Sequence, residues 1–575
     1  MKNGLSFQLV ALTSLMTVSG SIMAQAFVPS LPGSVQPSQV GKAISSQQPK
    51  QTTEVLPPLQ QKKQEAAKGL PPEAQKIKFQ LNGVKLTGEH VYSEEQLKFI
   101  YEKDLHHTIT IARLFEIVQE ITNYYRNNGY ILSRAILPPQ HVKGGVVTIE
   151  VIEGYIGHVE VTGNPKGAKR MVQQFGCKMI ECRPLKVDRL EKYMYLANEI
   201  PGTQVRAVLA PAKKNVGAAD LSLVTENKPF SAYFSYDNYG TLYLGPQQLT
   251  ANLTANSFLM SGDSGQITVS KTPKGAELTY EDANYTFPVN VEGVRWTWGS
   301  TRVQTHPLFV LQPTDINGLN SNYYTMMYFP VIRERSKSLT LRTGFNYLDS
   351  NVDTFTFKLY TDHLRSLDFG LTYTFADQWY GSNYISADFR QGLPIWGYTS
   401  DTNILTAQTS RPGGRGRYTK FAATLSRVQA IKGNWSAYGI FQGQWAFMPL
   451  LAAEQFTFGG SVLGRGYDIA EIIGDRGMAA SVELRYDYSM PKLKLQSIQF
   501  YAFYDAGKMW NYEYVGGTPL TLSGTSTGFG ARFSFTKYIS GNVMWTQVLT
   551  KQIAAEELIG KGKRPRVFFS VLASV

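Results

Sequence analysis

From about residue 229 to residue 575 the sequence loses every trace of a helical period, yet large apolar side chains recur at alternate positions in segment after segment. In "SVELRYDY", residues 481–488, Val482, Leu484, Tyr486 and Tyr488 fall on one face of a strand, and Ser481, Glu483, Arg485 and Asp487 fall on the other. "GFGARFSFTK", residues 528–537, repeats the pattern, with Phe529, Ala531, Phe533 and Phe535 set against Arg532 and Ser534. A soluble sandwich would hide such an apolar face, whereas a membrane barrel shows it to lipid. No window outside the N-terminus offers about 18 uninterrupted apolar residues, so a chain like this enters a bilayer as strands or not at all. Residues 355–376 hold no Pro and a single Gly, Gly370; read as one strand they give a count of sixteen and read as two a count of seventeen, and the even numbers that single-chain bacterial barrels use favour sixteen. Residues 229–575 then supply about 10 residues per crossing plus connections, and sixteen strands enclose room for an aqueous channel. The 33 Tyr and 30 Phe suit an apolar band flanked by aromatic girdles.

The segments before the barrel divide by composition. "MKNGLSFQLVALTSLMTVSGSIMAQA" has Lys2, a short apolar stretch and the Ala24-Gln25-Ala26 pattern, and reads as a secretory signal over residues 1–26. "QPSQVGKAISSQQ", residues 36–48, can form a short helix of low amphipathicity or remain a tail, and residues 49–75, rich in Pro, Gln and Lys, read as a linker without a core of their own. A compact pattern follows: a strand at Ile77, Phe79 and Leu81, a capping box at Ser93–Gln96, a helix over Thr110–Asn128 and strands at 131–137 and 146–152. The same β-α-α-β-β order recurs from residue 158, a repeat of about 75 residues. Residues 77–153 and 154–228 are therefore expected to be two small modules whose open sheets leave edge strands for an extended peptide to join. Cys177 and Cys182 are expected to close a small structural disulfide in an oxidising compartment, and no cluster around them suggests a metal.

One segment does not fit a run of strands. "SVLGRGYDIAEIIGDRG", residues 461–477, is too long for a hairpin turn and holds Arg465 between Gly464 and Gly466, with Tyr467 following. If strand 1 rises from the periplasm, this is the outer connection between strands 11 and 12. In "QFYAFYDAG", residues 499–507, outward Ile498, Phe500, Ala502, Tyr504 and Ala506 place Phe503, Asp505 and Gly507 on the lumen side. Asp505 either lines a wet channel or pairs with Arg465 on a loop folded inward; the pattern leaves both open.

Together these features resemble the outer-membrane transporters of two-partner secretion (TpsB type), which share a superfamily with the barrel-assembly proteins. "ITNYYRNNGYILSRAILPPQHVKGGVVTIEVIEG", residues 121–154, is similar to that family's first polypeptide-transport-associated (POTRA) module. Gly464-Arg465-Gly466-Tyr467 matches its loop motif, with Gly464 where a Val is common, and Phe503, Asp505 and Gly507 match its Phe-x-Asp-x-Gly strand motif. The resemblance implies a mainly β protein: a plug helix within residues 27–48, a linker, two periplasmic POTRA modules and a sixteen-stranded transmembrane barrel over 229–575. It also implies that the loop tucks into the barrel and Arg465 meets Asp505.

By that resemblance the function is export, in unfolded form, of one large exoprotein bearing an N-terminal secretion domain. The exoprotein would be an adhesin, a cytolysin, a contact-dependent toxin or a haem-acquisition protein. An insertase of the same superfamily typically carries more modules than two. A lipolytic enzyme needs a nucleophile beside a base, and none of the 7 His lies near a serine in such a motif. No catalytic residue, cofactor or metal is expected. The charge of +13 points to outer-membrane lipid and lipopolysaccharide, not nucleic acid, through surface runs such as "GKGKRPR", residues 560–566. The barrel-assembly machinery is the expected insertion partner, and a monomer the expected state.

Overall fold

The computed structural model describes residues 31–48, 75–213, 215–273, 277–355, 357–400, 408–489, 496–512 and 521–575. The expected signal at 1–26 and nearly all of the expected linker at 49–75 lie outside them. Among the described residues, sixteen antiparallel strands close into a barrel, from Phe230–Asp237 to Arg566–Ser574, and the last strand pairs with the first. Phe357–Ala376 is one continuous strand of 20 residues, as the sixteen-strand count requires. Alternation does what the sequence pattern foretold. On strand 12, Arg476–Tyr488, Val482 and Leu484 lie exposed on the outer face, while Ser481 and Glu483 are buried inside.

Before the barrel stand two small α/β modules. In the first, Gly83–Thr87 runs parallel to Val146–Ile152, and Arg134–Ile136 completes a three-stranded sheet. The strand expected at Ile77–Leu81 does form, as Lys78–Leu81, but it pairs with His107–Thr110 in a separate two-stranded sheet. The capping box at Ser93 is real, with Ser93 N–H donating to Gln96 Oε1 at 3.0 Å. It opens only one α-turn, Glu94–Leu97, followed by 3₁₀ turns. Helix Ile111–Asn127 buries Leu114, Ile117, Val118, Ile121 and Tyr125 on the sheet, a stripe at helical spacing.

The second module repeats the plan with Tyr155–Asn164, helices Lys169–Ile180 and Val187–Asn198, and strands Thr203–Pro211 and Ala218–Asn227. Its sheet order leaves Thr203–Pro211 at one edge. This module docks on the turns at one end of the barrel. Glu199 accepts from Arg333 Nε at 2.6 Å and from Arg295 Nη2 at 3.0 Å, Tyr193 Oη donates to Glu292 at 2.9 Å, and Met171 N–H donates to Ser261 Oγ at 3.0 Å.

The expected disulfide is absent: Cys177 and Cys182 are both free thiols. Five residues along a helical path rotate a side chain by about 140°. Cys177 therefore faces solvent from helix Lys169–Ile180, while Cys182, past its end, turns against the module's apolar core, its thiol 3.6 Å from Pro184 O. Under non-reducing conditions, a maleimide is expected to modify Cys177 rapidly and Cys182 slowly, and Cys177→Ser should abolish the fast phase. Labelling that appears only after reductant is added would restore the bond.

Candidate functional site

The barrel lumen holds two inserts. One is the helix Pro37–Gln47, with Pro at its first position, where the missing N–H costs nothing. It lies against the wall of strands 5 and 6, Arg295–Thr305 and Ile316–Arg333. A Cβ on Gly41 would come within 2.7 Å of Val303 Cγ2, and one on Gly318 within 3.1 Å of Pro37, so both close approaches depend on glycine. Val35, Val40 and Ile44 are buried.

The second insert is the connection between strands 11 and 12. It runs over residues 447–475, longer at its start than the expected 461–477, and Arg476 and Gly477 already belong to strand 12. Its middle folds into a hairpin of Phe456–Phe458 with Ile472–Gly474, and the tip between them reaches the inner wall. The two inserts touch: Gln39 and Lys42 donate from the helix to the carbonyls of Ala452 and Ala453. Glu454 beside them is held by Arg390 at 2.9 Å and Lys420 at 2.6 Å.

At the tip, Arg465 and Asp505 meet. The Arg465 backbone N–H and Nε donate to Asp505 Oδ2 at 2.9 and 3.1 Å, and Nη2 donates to Oδ1 at 2.7 Å. The guanidinium carbon lies 3.6 Å from the centre of the Phe503 ring, so the planar cation is stacked as well as paired. Two partners were absent from the motif reading. Ser481 Oγ accepts from Nη2 at 2.6 Å, and Glu483 accepts from Nη1 and is shared with Arg485 and Arg532. Both sit on strand 12, where Ser481 pairs with Asp505 and Glu483 with Phe503 across the strands. Their lumen-facing position was legible in "SVELRYDY", but the register that puts them opposite the motif was not. Arg465 is 3% exposed and Asp505 0%, so neither charge is held by water.

Glycines shape the seat. Gly464 has φ +72°, a left-handed conformation that turns the chain ahead of the arginine. A Cβ on Gly466 would lie 2.9 Å from Val548 Cγ1, and one on Gly507 2.5 Å from the ring of Phe458. Gly507 thus opens the wall for a loop aromatic, not for Arg465 itself. Tyr467 is buried and donates from Oη to Thr525 O at 3.1 Å. Asp468 and Glu471 tie the tip further to Arg566 at 2.7 Å and Lys551 at 2.5 Å.

With this geometry in place, comparison with known proteins is decisive. A family model described as haemolysin secretion/activation protein ShlB/FhaC/HecB matches residues 217–531, more than half of the chain. The chain belongs to this family. A second model, the ShlB-type POTRA domain, matches residues 79–154. Among curated relatives, the heme/hemopexin transporter protein HuxB of Haemophilus influenzae (strain 86-028NP) is 23% identical over 442 residues, covering 75% of this chain and 76% of its own length. The outer membrane transporter CdiB of Dickeya dadantii is 23% identical over 434 residues, covering 73% and 74%. Among solved structures, CdiB from Escherichia coli shares the fold with a TM-score of 0.69 at 18% identity, over 94% of this chain and 96% of that one. BamA from Haemophilus ducreyi lacking POTRA domains 1–3 gives 0.50 at 14%, over 86% and 100%. The chain is an outer-membrane barrel with its POTRA region on the periplasmic side, so the connection 447–475 enters the lumen from the cell-surface side.

Removing one member of a buried ion pair leaves the other uncompensated, at a cost of about 3–5 kcal/mol. Arg465→Ala and Asp505→Ala should each release the tip, seen as new chymotrypsin cleavage within 447–475, at Phe456, Phe458 or Tyr467, while the barrel still shows heat-modifiable mobility. The double variant should be less damaging than the sum of the two, and strictly additive losses would show that the contact carries no coupling. Gly466→Val should release the tip just as strongly with both charges intact, because the added side chain overlaps Val548.

Proposed function

We propose that this protein captures one large secreted exoprotein in the periplasm through its two modules, taken as residues 77–153 and 154–228, and passes it unfolded through the barrel to the cell surface. The observation that carries this reading is the position of the free edge strand Thr203–Pro211. Its first residues, Thr203 and Gln204, line a cavity of about 1060 Å³ at the periplasmic mouth together with Tyr324 and Tyr328 of the barrel. An extended peptide that adds a strand to this edge gains backbone hydrogen bonds without demanding a particular sequence, and its end is delivered to the lumen. Folding of the exported chain outside biases movement outward, because only the folded surface state is removed from the transit equilibrium.

In this reading the Arg465 cluster is a latch that keeps the connection 447–475 against the wall, and the helix Pro37–Gln47 is a plug. Both act as structural parts; the protein performs no catalysis. Lipid and lipopolysaccharide surround the apolar band, the barrel-assembly machinery inserts the chain, and one copy suffices. The export test is a two-gene experiment in which the transporter is expressed with the exoprotein encoded beside it and the culture medium is assayed for that exoprotein. Secretion is expected to fall at least tenfold on deletion of residues 77–153 and on Arg465→Ala, with barrel insertion unchanged. Undiminished secretion after the deletion would make the first module a spacer.

A further inference from the structure

One turn where the second module meets the barrel carries a chemistry that docking does not require. Residues 257–263, "SFLMSGD", join strands Gln248–Asn256 and Ser264–Lys271 on the periplasmic side. The module fixes the turn in place: Met171 N–H donates to Ser261 Oγ, and a Cβ on Gly167 would overlap Ser257 O. Yet Phe258 is 49%, Leu259 71% and Met260 46% exposed, three apolar side chains in succession at the edge of the bilayer. The backbone beneath them is prepared for a place without water. The buried Asp263 carboxylate accepts from the N–H groups of Phe258, Leu259 and Met260 at 2.8, 3.1 and 2.7 Å, and from Tyr285 Oη at 2.7 Å. Ser257 N–H donates to Asp263 O at 2.8 Å and Gly262 N–H to Ser257 Oγ at 3.2 Å. Donors satisfied inside the turn can enter the hydrocarbon boundary without losing hydrogen bonds. The next turn, by contrast, presents Glu292 to Lys192 and Tyr193 of the module.

Phe258 folds back over Gly265, where a Cβ would lie 3.1 Å from its ring, and meets Tyr285 edge to face. Beside it on the outer wall is an apolar cavity of about 610 Å³, lined by Leu253, Ile267, Ala283, Tyr285 and Trp298. These side chains fall on the face opposite Asn252, Thr268 and Asp282, which are buried within the barrel, so the cavity opens to lipid. Next to it the module supplies cations. Lys166 adjoins Gly167, and Lys169 and Arg170 lie within two residues of Met171, so all three belong to the segment that touches the turn. They are exposed, and among the described residues no ion pair holds them. Long basic stems lie along apolar surface while their heads reach the membrane boundary. A phosphate there offers the charge-assisted hydrogen bonds that these three heads lack.

We infer that this joint is a binding site for one anionic phospholipid of the periplasmic leaflet, with an acyl chain in the cavity beside Phe258 and Trp298 and the phosphate on Lys166, Lys169 and Arg170. The lipid then touches barrel and module at once, and the apolar turn between them lies in the membrane boundary.

The test counts lipids. The purified full chain is stripped of lipid in detergent, given equal amounts of palmitoyl-oleoyl phosphatidylglycerol and the matching phosphatidylcholine, and weighed by native mass spectrometry. One retained phosphatidylglycerol, favoured about fivefold or more over phosphatidylcholine, is expected. Lys166→Gln combined with Lys169→Gln and Arg170→Gln should bring that ratio close to one. Ala283→Phe, which fills the cavity from an exposed position, should lower retention of both lipids about fivefold or more. Heat-modifiable mobility shows that the barrel of each variant is folded. Equal retention of the two lipids by the unaltered chain, or a preference that survives the triple substitution, would overturn the inference. So would retention indifferent to Ala283→Phe, or displacement of phosphatidylglycerol by an equal amount of lipopolysaccharide. Should Ala283→Phe not fold, phosphatidylglycerol with brominated acyl chains supplies the second reading. Quenching of tryptophan emission that falls on Trp298→Phe supports the site, and quenching that this substitution leaves unchanged overturns it.

Discussion

A guanidinium taken almost wholly out of water has to be paid for by its surroundings, and Arg465 is met on every side. Asp505 holds two edges of it and the adjoining backbone N–H, Ser481 and Glu483 take the remaining donors, and Phe503 covers a face. The partners come from strand 12 and from the next strand, Ser497–Trp510, whose register is fixed by the continuous ladder of the barrel. The interaction thus joins the least regular segment of the chain to its most rigid one. The tip's apolar contacts depend on it: Phe458, Leu463, Tyr467 and Ile472 pack with Met509 and Val548 of the wall only when the hairpin is drawn inward.

From the hairpin the constraint spreads to the rest of the lumen. Its stem presents the carbonyls of Ala452 and Ala453 to the N-terminal helix, and its carboxylate Asp475 binds Arg411 of the preceding surface connection. Ser410 and Arg415 of that connection also meet the stem, through the N–H of Ala452 and the carbonyl of Pro449. The lumenal helix, the inward loop and the surface roof are thus one bonded assembly that is also fastened to the barrel wall.

Much of this was legible in the sequence, for identifiable reasons. Alternation with period two fixes which side chains face lipid, so Phe503 and Asp505 fall on the inner face, and even parity decided between sixteen strands and seventeen. Helix Ile111–Asn127 announced itself by its apolar stripe. What escaped was set by contacts distant in sequence. Pairing of Lys78–Leu81 with His107–Thr110 split the first module's sheet, and only the three-dimensional path puts Glu483 beside Arg465. The disulfide expectation failed because spacing alone says nothing about direction around a helix, and Cys177 points away from Cys182. The charged loop motif was readable because it is short; the glycines that receive it were readable only as residues, not as a seat.

Those glycines carry a wider consequence. At Gly507 on strand Ser497–Trp510 and Gly524 on strand Thr521–Ser534 the inner wall has been stripped to backbone, and the vacated space is filled by Phe458, Ile472 and Tyr467 of the loop; at Gly528 it is filled by the Phe503 ring of the wall itself. Wall and loop are therefore related as mould and cast. A hairpin grafted from a relative would fit only if its bulky side chains fell opposite the gaps at Gly507 and Gly524, and either of these two glycines changed on its own would be refused by the hairpin already there. The two segments are bound to vary together, although 41 residues of chain lie between Arg465 at the loop tip and Gly507, the first of its gaps.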